Sequence, residues 1–94
     1  MRGLMRFEPG RICFTQGALL ALSRVDVRVP VDLLRAHITG HYGDLDAHDR
    51  AINDRAVRDG SRILSQYTLA SGERIWIITD ADRSATTFLL PDEY

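Results

Sequence analysis

Arg74-Ile75-Trp76-Ile77-Ile78-Thr79 is the stretch on which the fold turns. Ile75 and Ile77 alternate with Trp76 and Ile78, so the segment is apolar on both sides, and it lies between two turn sequences. β-Branched and aromatic residues favour extended chain, and a strand apolar on both faces belongs at the centre of a sheet with helices over one side. Upstream, Ala70-Ser71-Gly72-Glu73 turns back to a strand over Ser61–Leu69. Downstream, Asp80 to Ser84 turns on to a strand over Ala85–Leu90 that Pro91 ends.

The N-terminal half reads as helices. Thr15 is a good N-cap for a helix from about Gln16 to Ser23, whose apolar content (Ala18, Leu19, Leu20, Leu22) suggests burial on most sides. Pro30 and Asp32 suit the first turn of a second helix, and Gly40 stops it after Thr39. Its apolar stripe is Val31, Leu34 and Ile38. Gly40-His41-Tyr42-Gly43 is a compact loop whose glycines call for positive φ. Asp44 or Asp46 caps a third helix, stopped by Gly60, with Leu45, Ile52 and Ala56 as its core stripe. Before all of these, Arg11–Thr15 forms a short strand, and residues 1–10 read as a flexible lead-in with Met5 as a second candidate start. The expected fold is therefore α+β: a short N-terminal strand, three helices, then a three-stranded antiparallel β-meander with helices packed on one face. Residues 11–94 form its single domain.

The 94 residues, 45% hydrophobic and 27% charged, are those of an ordinary globular domain. A net charge of −1 favours neither polyanionic nor polycationic partners. Charge is nevertheless segregated, with six arginines in residues 1–43 against Glu8, Asp26 and Asp32, and five aspartates in residues 44–60 against three arginines. All 12 basic residues are arginine, a bias that fits either the codon usage of a GC-rich genome, the favoured reading, or selection for bidentate contacts. Cys13, the one cysteine, excludes an internal disulfide and reads as an inert thiol in an apolar strand. Arg2 and Arg6 are not followed by the apolar core of a secretory signal, and nothing approaches the roughly 20 apolar residues of a membrane span. The expectation is a cytoplasmic protein without a membrane role.

No motif specifies a reaction. His37 and His41 have the spacing of two ligands on one helix face, but Gly40 intervenes and ends the helix, so no metal or cofactor is expected. Asp49 and Asn53, four apart on the third helix, fall at the edge of its buried face and need partners, which Arg62, Ser65 or Tyr67 on the next strand can supply. With His37 these make a polar network: His37, Asp49, Asn53, Arg62, Ser65 and Tyr67. A nucleophile–acid–base set of Ser65, Tyr67 and His37 can be drawn, but no nucleophile elbow enforces it. Three helices and a hairpin outline a winged helix, yet Asp44, Asp46, Asp49, Asp54 and Asp59 would repel phosphates, so direct nucleic-acid binding is not expected. The same aspartates suit an arginine-rich protein groove, and the bland counterpart is a solvated face laced with pairs such as Asp46–Arg50 and Asp54–Arg58. The candidate partner contacts are Tyr42, Asp44, Asp46, Asp49 and Asp54, with Asp80, Asp82 and Arg83 in the turn after the central strand. The strand over 85–90, read as an exposed edge, could pair with a second copy to make a homodimer.

Several blocks carry a resemblance: Thr15-Gln16-Gly17-Ala18-Leu19; Leu34-Arg35-Ala36-His37 leading to Gly40-His41-Tyr42-Gly43; Asp49 with Asn53; Gly60-Ser61-Arg62 with Ser65 and Tyr67; Trp76 through Arg83; Thr86-Thr87; and Leu89 through Tyr94. Through these the chain, from about Phe14 onward, resembles a family of short bacterial proteins of plasmids and integrative elements. Its members are often labelled "plasmid-related protein" or, by neighbourhood, "type I restriction endonuclease subunit M". It departs from the family pattern where Gly40-His41-Tyr42-Gly43 replaces Gly-Asp-Trp-Gly and where Asp80 replaces Glu. A modification subunit needs a methyltransferase domain several times this size, so the restriction label is not literal. Mobile-element origin implies an antagonist of host nuclease defence: a small non-enzymatic protein that binds a component of a CRISPR or restriction complex. The alternatives are a small enzyme or ligand-binding domain using His37, Asp49, Asn53, Arg62 and Tyr67, and a DNA-binding accessory regulator.

Overall fold

Alternating side chains in the C-terminal half produce the sheet, and the computed structural model, which describes residues 4–94, shows how the N-terminal half joins it. The elements are β1 (Arg11–Phe14), α1 (Gln16–Leu22), α2 (Val29–Ile38), α3 (Ala47–Asp59), β2 (Ile63–Thr68), β3 (Arg74–Thr79) and β4 (Ala85–Leu89), followed by a 3-10 turn at Pro91–Glu93. The fold is α+β with a four-stranded mixed sheet in the order β1-β4-β3-β2. β2 and β4 both pair antiparallel with β3. β1 lies parallel to β4, with Arg11 opposite Ala85 and Phe14 opposite Phe88.

This arrangement corrects the edge assignment. The strand expected over 85–90 lies inside the sheet, between β1 and β3, and the edges are β1 and β2. β1 reaches β4 only after all three helices and two strands have intervened, so no local pattern announces the pair.

One face of the sheet presents Ile75, Ile77 and Phe88, on which α1 packs Ala18, Ala21 and Leu22, with Leu33 and Leu34 of α2 against the same cluster. A second cluster joins Ile63 of β2 to Ala56 of α3, Tyr42 and Phe7. Two expected stripes are only partly inward. Leu19 and Leu20 are 55% and 56% exposed, so α1 is buried on one side and not on most, and Val31 of α2 is exposed. The fully buried residue of α2 is His37.

The stretch read as a lead-in packs onto the domain from Arg6 on. Phe7 is buried, the Arg6 amide donates to the Ile38 carbonyl at 2.8 Å, and the Pro9 carbonyl accepts from the Thr86 hydroxyl at 2.6 Å. Residues 1–3 of that stretch lie outside the described residues. At the other end, Glu93 accepts from the Thr15 hydroxyl (2.6 Å) and the Gly17 amide (3.1 Å), so the first and last blocks of the resemblance meet at the start of α1. Among the described residues no helix is long and apolar enough to cross a membrane.

Candidate functional site

A buried chain of hydroxyls runs through His37. Its Nδ1 lies 2.6 Å from Ser65 Oγ and its Nε2 2.8 Å from Thr79 Oγ1, and Thr79 Oγ1 lies 2.7 Å from Thr86 Oγ1. The chain has a direction. Thr86 donates to the Pro9 carbonyl, so its oxygen accepts from Thr79; Thr79 in turn accepts from His37 Nε2–H, and His37 Nδ1 accepts the Ser65 proton. His37, Ser65, Thr79 and Thr86 are all fully buried, and desolvation pulls the imidazole down to about 3, so it is neutral. The Ser65–His37 pair thus has nucleophile–base geometry without access for a substrate. Tyr67, the third residue of that set, donates its hydroxyl to the His41 carbonyl at 2.6 Å, and burial pushes its phenol up to about 12.

Asn53 is spent on backbone. Its Nδ2 donates to the Leu64 carbonyl at 2.7 Å, and its Oδ1 accepts from the Leu64 amide at 3.2 Å. One residue pair along the same strand, the Gln66 amide donates to the Tyr42 carbonyl (3.1 Å) and the Asp44 amide to the Gln66 carbonyl (2.6 Å). Asn53 and the 42–44 loop therefore close the outer edge of β2. Gly43, at φ +79°, passes so close to the Gln66 carbonyl that a Cβ there would sit 2.0 Å from its oxygen.

The remaining polar residues face an open cleft of about 240 Å³ between α3 and β2, lined by Leu45, Asp49, Ile52, Asn53, Arg62 and Leu64. α3 begins where the Asp46 side chain accepts from the Asp49 amide and ends at Gly60 in the left-handed region. That phase leaves Ile52 45% exposed over the cleft, against its expected place in the core; Asn53 and Ala56 are the buried residues of α3. Arg62 leans on Tyr94, its guanidinium 5.2 Å from the ring centroid and donating to the phenol, and Tyr94 packs edge-on against Trp76. Of the five residues of the ligand-site reading, Asp49, Asn53 and Arg62 share this cleft, while His37 and Tyr67 do not. A larger and more apolar cleft, about 470 Å³, opens between the start of α2 and the β2–β3 turn beside Arg24, Val25 and Leu69. None of the candidate site residues lines it.

The candidate contacts separate by role. Tyr42 is buried, and its hydroxyl has no hydrogen-bond partner among the described residues; burial first, then the nearby Asp54 charge, raises its pKa. Arg83, with φ at +61°, donates to the carbonyls of Ala56 (2.9 Å) and Ser61 (2.7 Å) and covers Phe7, fastening the end of α3 to the β3–β4 turn. Asp46 is a cap, Asp44 accepts from the Thr68 hydroxyl, and Asp82 accepts from the Ser84 amide. Asp54 pairs at 3.7 Å with Arg6 and not with Arg58, and no Asp46–Arg50 bridge forms among the described residues. Asp49 and Asp80 keep exposed carboxylates. Ile52 and Leu64 were missed as cleft-lining residues because an isolated isoleucine or leucine reads as core in any helix or strand.

Comparison of the chain with protein-family models, curated proteins and solved structures finds no match.

Proposed function

We propose that this chain is a small non-enzymatic binding protein of a mobile element, acting on a protein component of a CRISPR or restriction complex to blunt host nuclease defence. The observation that carries the binding half of this reading is the division of polar groups. The pair with nucleophile–base geometry, Ser65–His37, is sealed, whereas the groups that face solvent form a shallow cleft of mixed character. There Ile52 supplies an exposed apolar anchor between the charges of Asp49 and Arg62, a combination suited to a protein surface. The defence half rests on the resemblance described above.

The test is a plasmid or phage challenge of a defended host with and without the protein. Expression should raise plasmid establishment at least tenfold in one defence type, and the Asp49→Arg and Ile52→Glu variants, both at exposed positions, should lose that effect while remaining folded. Equal interference with and without the protein across the common systems would rule out the reading.

A second reading has one observation in its favour: Asp49 and Arg62, opposite charges, face the same cleft and make no ion pair within 4 Å among the described residues. A small zwitterionic ligand held there would raise the melting temperature of wild type but not of Asp49→Asn.

A further inference from the structure

The two edges of the sheet are treated differently. On β2 the outer groups of Leu64 and Gln66 are taken by Asn53 and the 42–44 loop, as described above. β1, a four-residue strand whose one charged side chain is Arg11, has no proline, no bulge and no covering segment among the described residues. The Arg11 amide donates to the Ser84 carbonyl and the Thr15 amide to the Phe88 carbonyl. Alternation along a strand then turns Cys13 inward as well and leaves the amides and carbonyls of Ile12 and Phe14 pointing away from β4. Their side chains share one face and are 36% and 38% exposed, and Phe14 is held by stacking on Phe88 with centroids 4.6 Å apart.

We propose that β1 is a self-association edge: two copies pair antiparallel through Ile12 and Phe14 about a twofold axis at Cys13, joining their sheets into one. The occupant is a second copy because the edge is complementary to itself. With Cys13 on the axis, Ile12 of each copy stands opposite Phe14 of the other, and both pairs are of the hydrogen-bonded kind, so every outward amide and carbonyl of the strand is used. Each pair also sets an aliphatic side chain against an aromatic one, a favourable cross-strand combination. Arg11 falls opposite Thr15 of the other copy and not opposite the second Arg11, so like charges stay apart. Centring on Ile12 or on Phe14 would match only one such pair within the strand. Leu19 and Leu20, exposed on the helix that follows β1 directly, add apolar surface beyond the strand itself.

The register makes a specific demand on Cys13. The two cysteines form a non-hydrogen-bonded pair with Cα atoms about 4.5 Å apart, inside the roughly 4.4–6.8 Å that a disulfide spans. The half-buried thiols lie on the same sheet face, so mild oxidation should join two chains through Cys13. The experiment is sedimentation equilibrium of the whole chain over a concentration series, with copper–phenanthroline oxidation read on a non-reducing gel. The mass should rise from 10.6 kDa towards twice that value, and oxidation should trap the doubled species. Ile12→Pro removes an amide that the monomer does not use, so it should keep the far-ultraviolet spectrum and stay monomeric; Ile12→Lys serves if the proline variant does not fold. A monomer mass at all concentrations, or a dimer that survives both substitutions, overturns the proposal, and a dimer whose Cys13 does not cross-link overturns the register.

Discussion

At the scale of single residues, His37 shows how far a sequence pattern reaches. The sequence set it in a polar network with Ser65, and the structure takes it fully inside, with both ring nitrogens held by hydroxyls. Because desolvation lowers its pKa to about 3 from the ordinary 6.5, the unfolded chain binds a proton below about pH 6.5 that the folded chain does not. Stability from His37 is therefore complete above that pH and falls as pH drops from about 6.5 towards 3, by up to about 1.4 kcal/mol per pH unit. Urea unfolding at about pH 7 and pH 5.5 should show a loss of roughly 1 kcal/mol, before most carboxylates titrate. The His37 ring protons should keep their neutral chemical shifts throughout that interval. Tyr42 presents the opposite case, a buried hydroxyl without a partner among the described residues. Tyr42→Phe removes the unsatisfied group and keeps the ring against Phe7 and Ile63, so it should stabilise the fold by about 1 kcal/mol in the same assay. A loss of stability would mean that the hydroxyl has a partner, such as an ordered water.

At the scale of elements, the strand ends and helix stops were legible because they rest on local chemistry. β3 spans the six residues that periodicity assigned to it, Asp46 caps α3, and Gly60 ends it with positive φ. The inward side of α3 was misjudged for a physical reason. A helix that packs on the face of a sheet needs aliphatic residues, and that expectation placed Ile52 inside. α3 instead approaches the edge of β2, and a strand edge needs hydrogen-bonding groups, so an amide, Asn53, takes the buried position. The Gly40–Gly43 loop was recognised as needing its glycines, but its task, pairing with Gln66, depends on a strand more than twenty residues away. Asn53→Ala strips both partners from Leu64 and should cost about 2 kcal/mol. Gly43→Ala adds a Cβ at a positive φ against the Gln66 carbonyl and should cost at least as much. Faster amide exchange at Leu64 and Gln66 in these variants would locate the loss at the β2 edge; unchanged protection would show that neither group closes it.

At the scale of the whole molecule, what the sequence hid is long-range closure. The parallel β1–β4 pair, the clasp of Glu93 on Thr15, and the packing of residues 6–9 all join parts of the chain that no periodic pattern relates. The N-terminal packing has the largest energetic consequence. Phe7 sits edge-on to His37 at 5.2 Å between centroids, lies under the Arg83 guanidinium, and shares a cluster with Tyr42, Ala56 and Ile63. Two residues on, the Pro9 carbonyl receives the last proton of the hydroxyl chain, so this segment closes both an apolar cluster and a polar network. Phe7→Ala leaves a cavity at that junction and should lower stability by about 3 kcal/mol. For a domain of this size that is a fall of roughly 10 °C or more in melting temperature, and a large share of the roughly 5–15 kcal/mol that holds a typical domain together. A chain beginning at Gly10 loses Phe7, the Arg6 tie to Ile38 and the acceptor for Thr86 together, and it should unfold at a lower temperature than Phe7→Ala. Thermal unfolding of the three proteins side by side decides the point. An unchanged melting temperature in the shortened chain would show that the segment packs on the domain without supporting it.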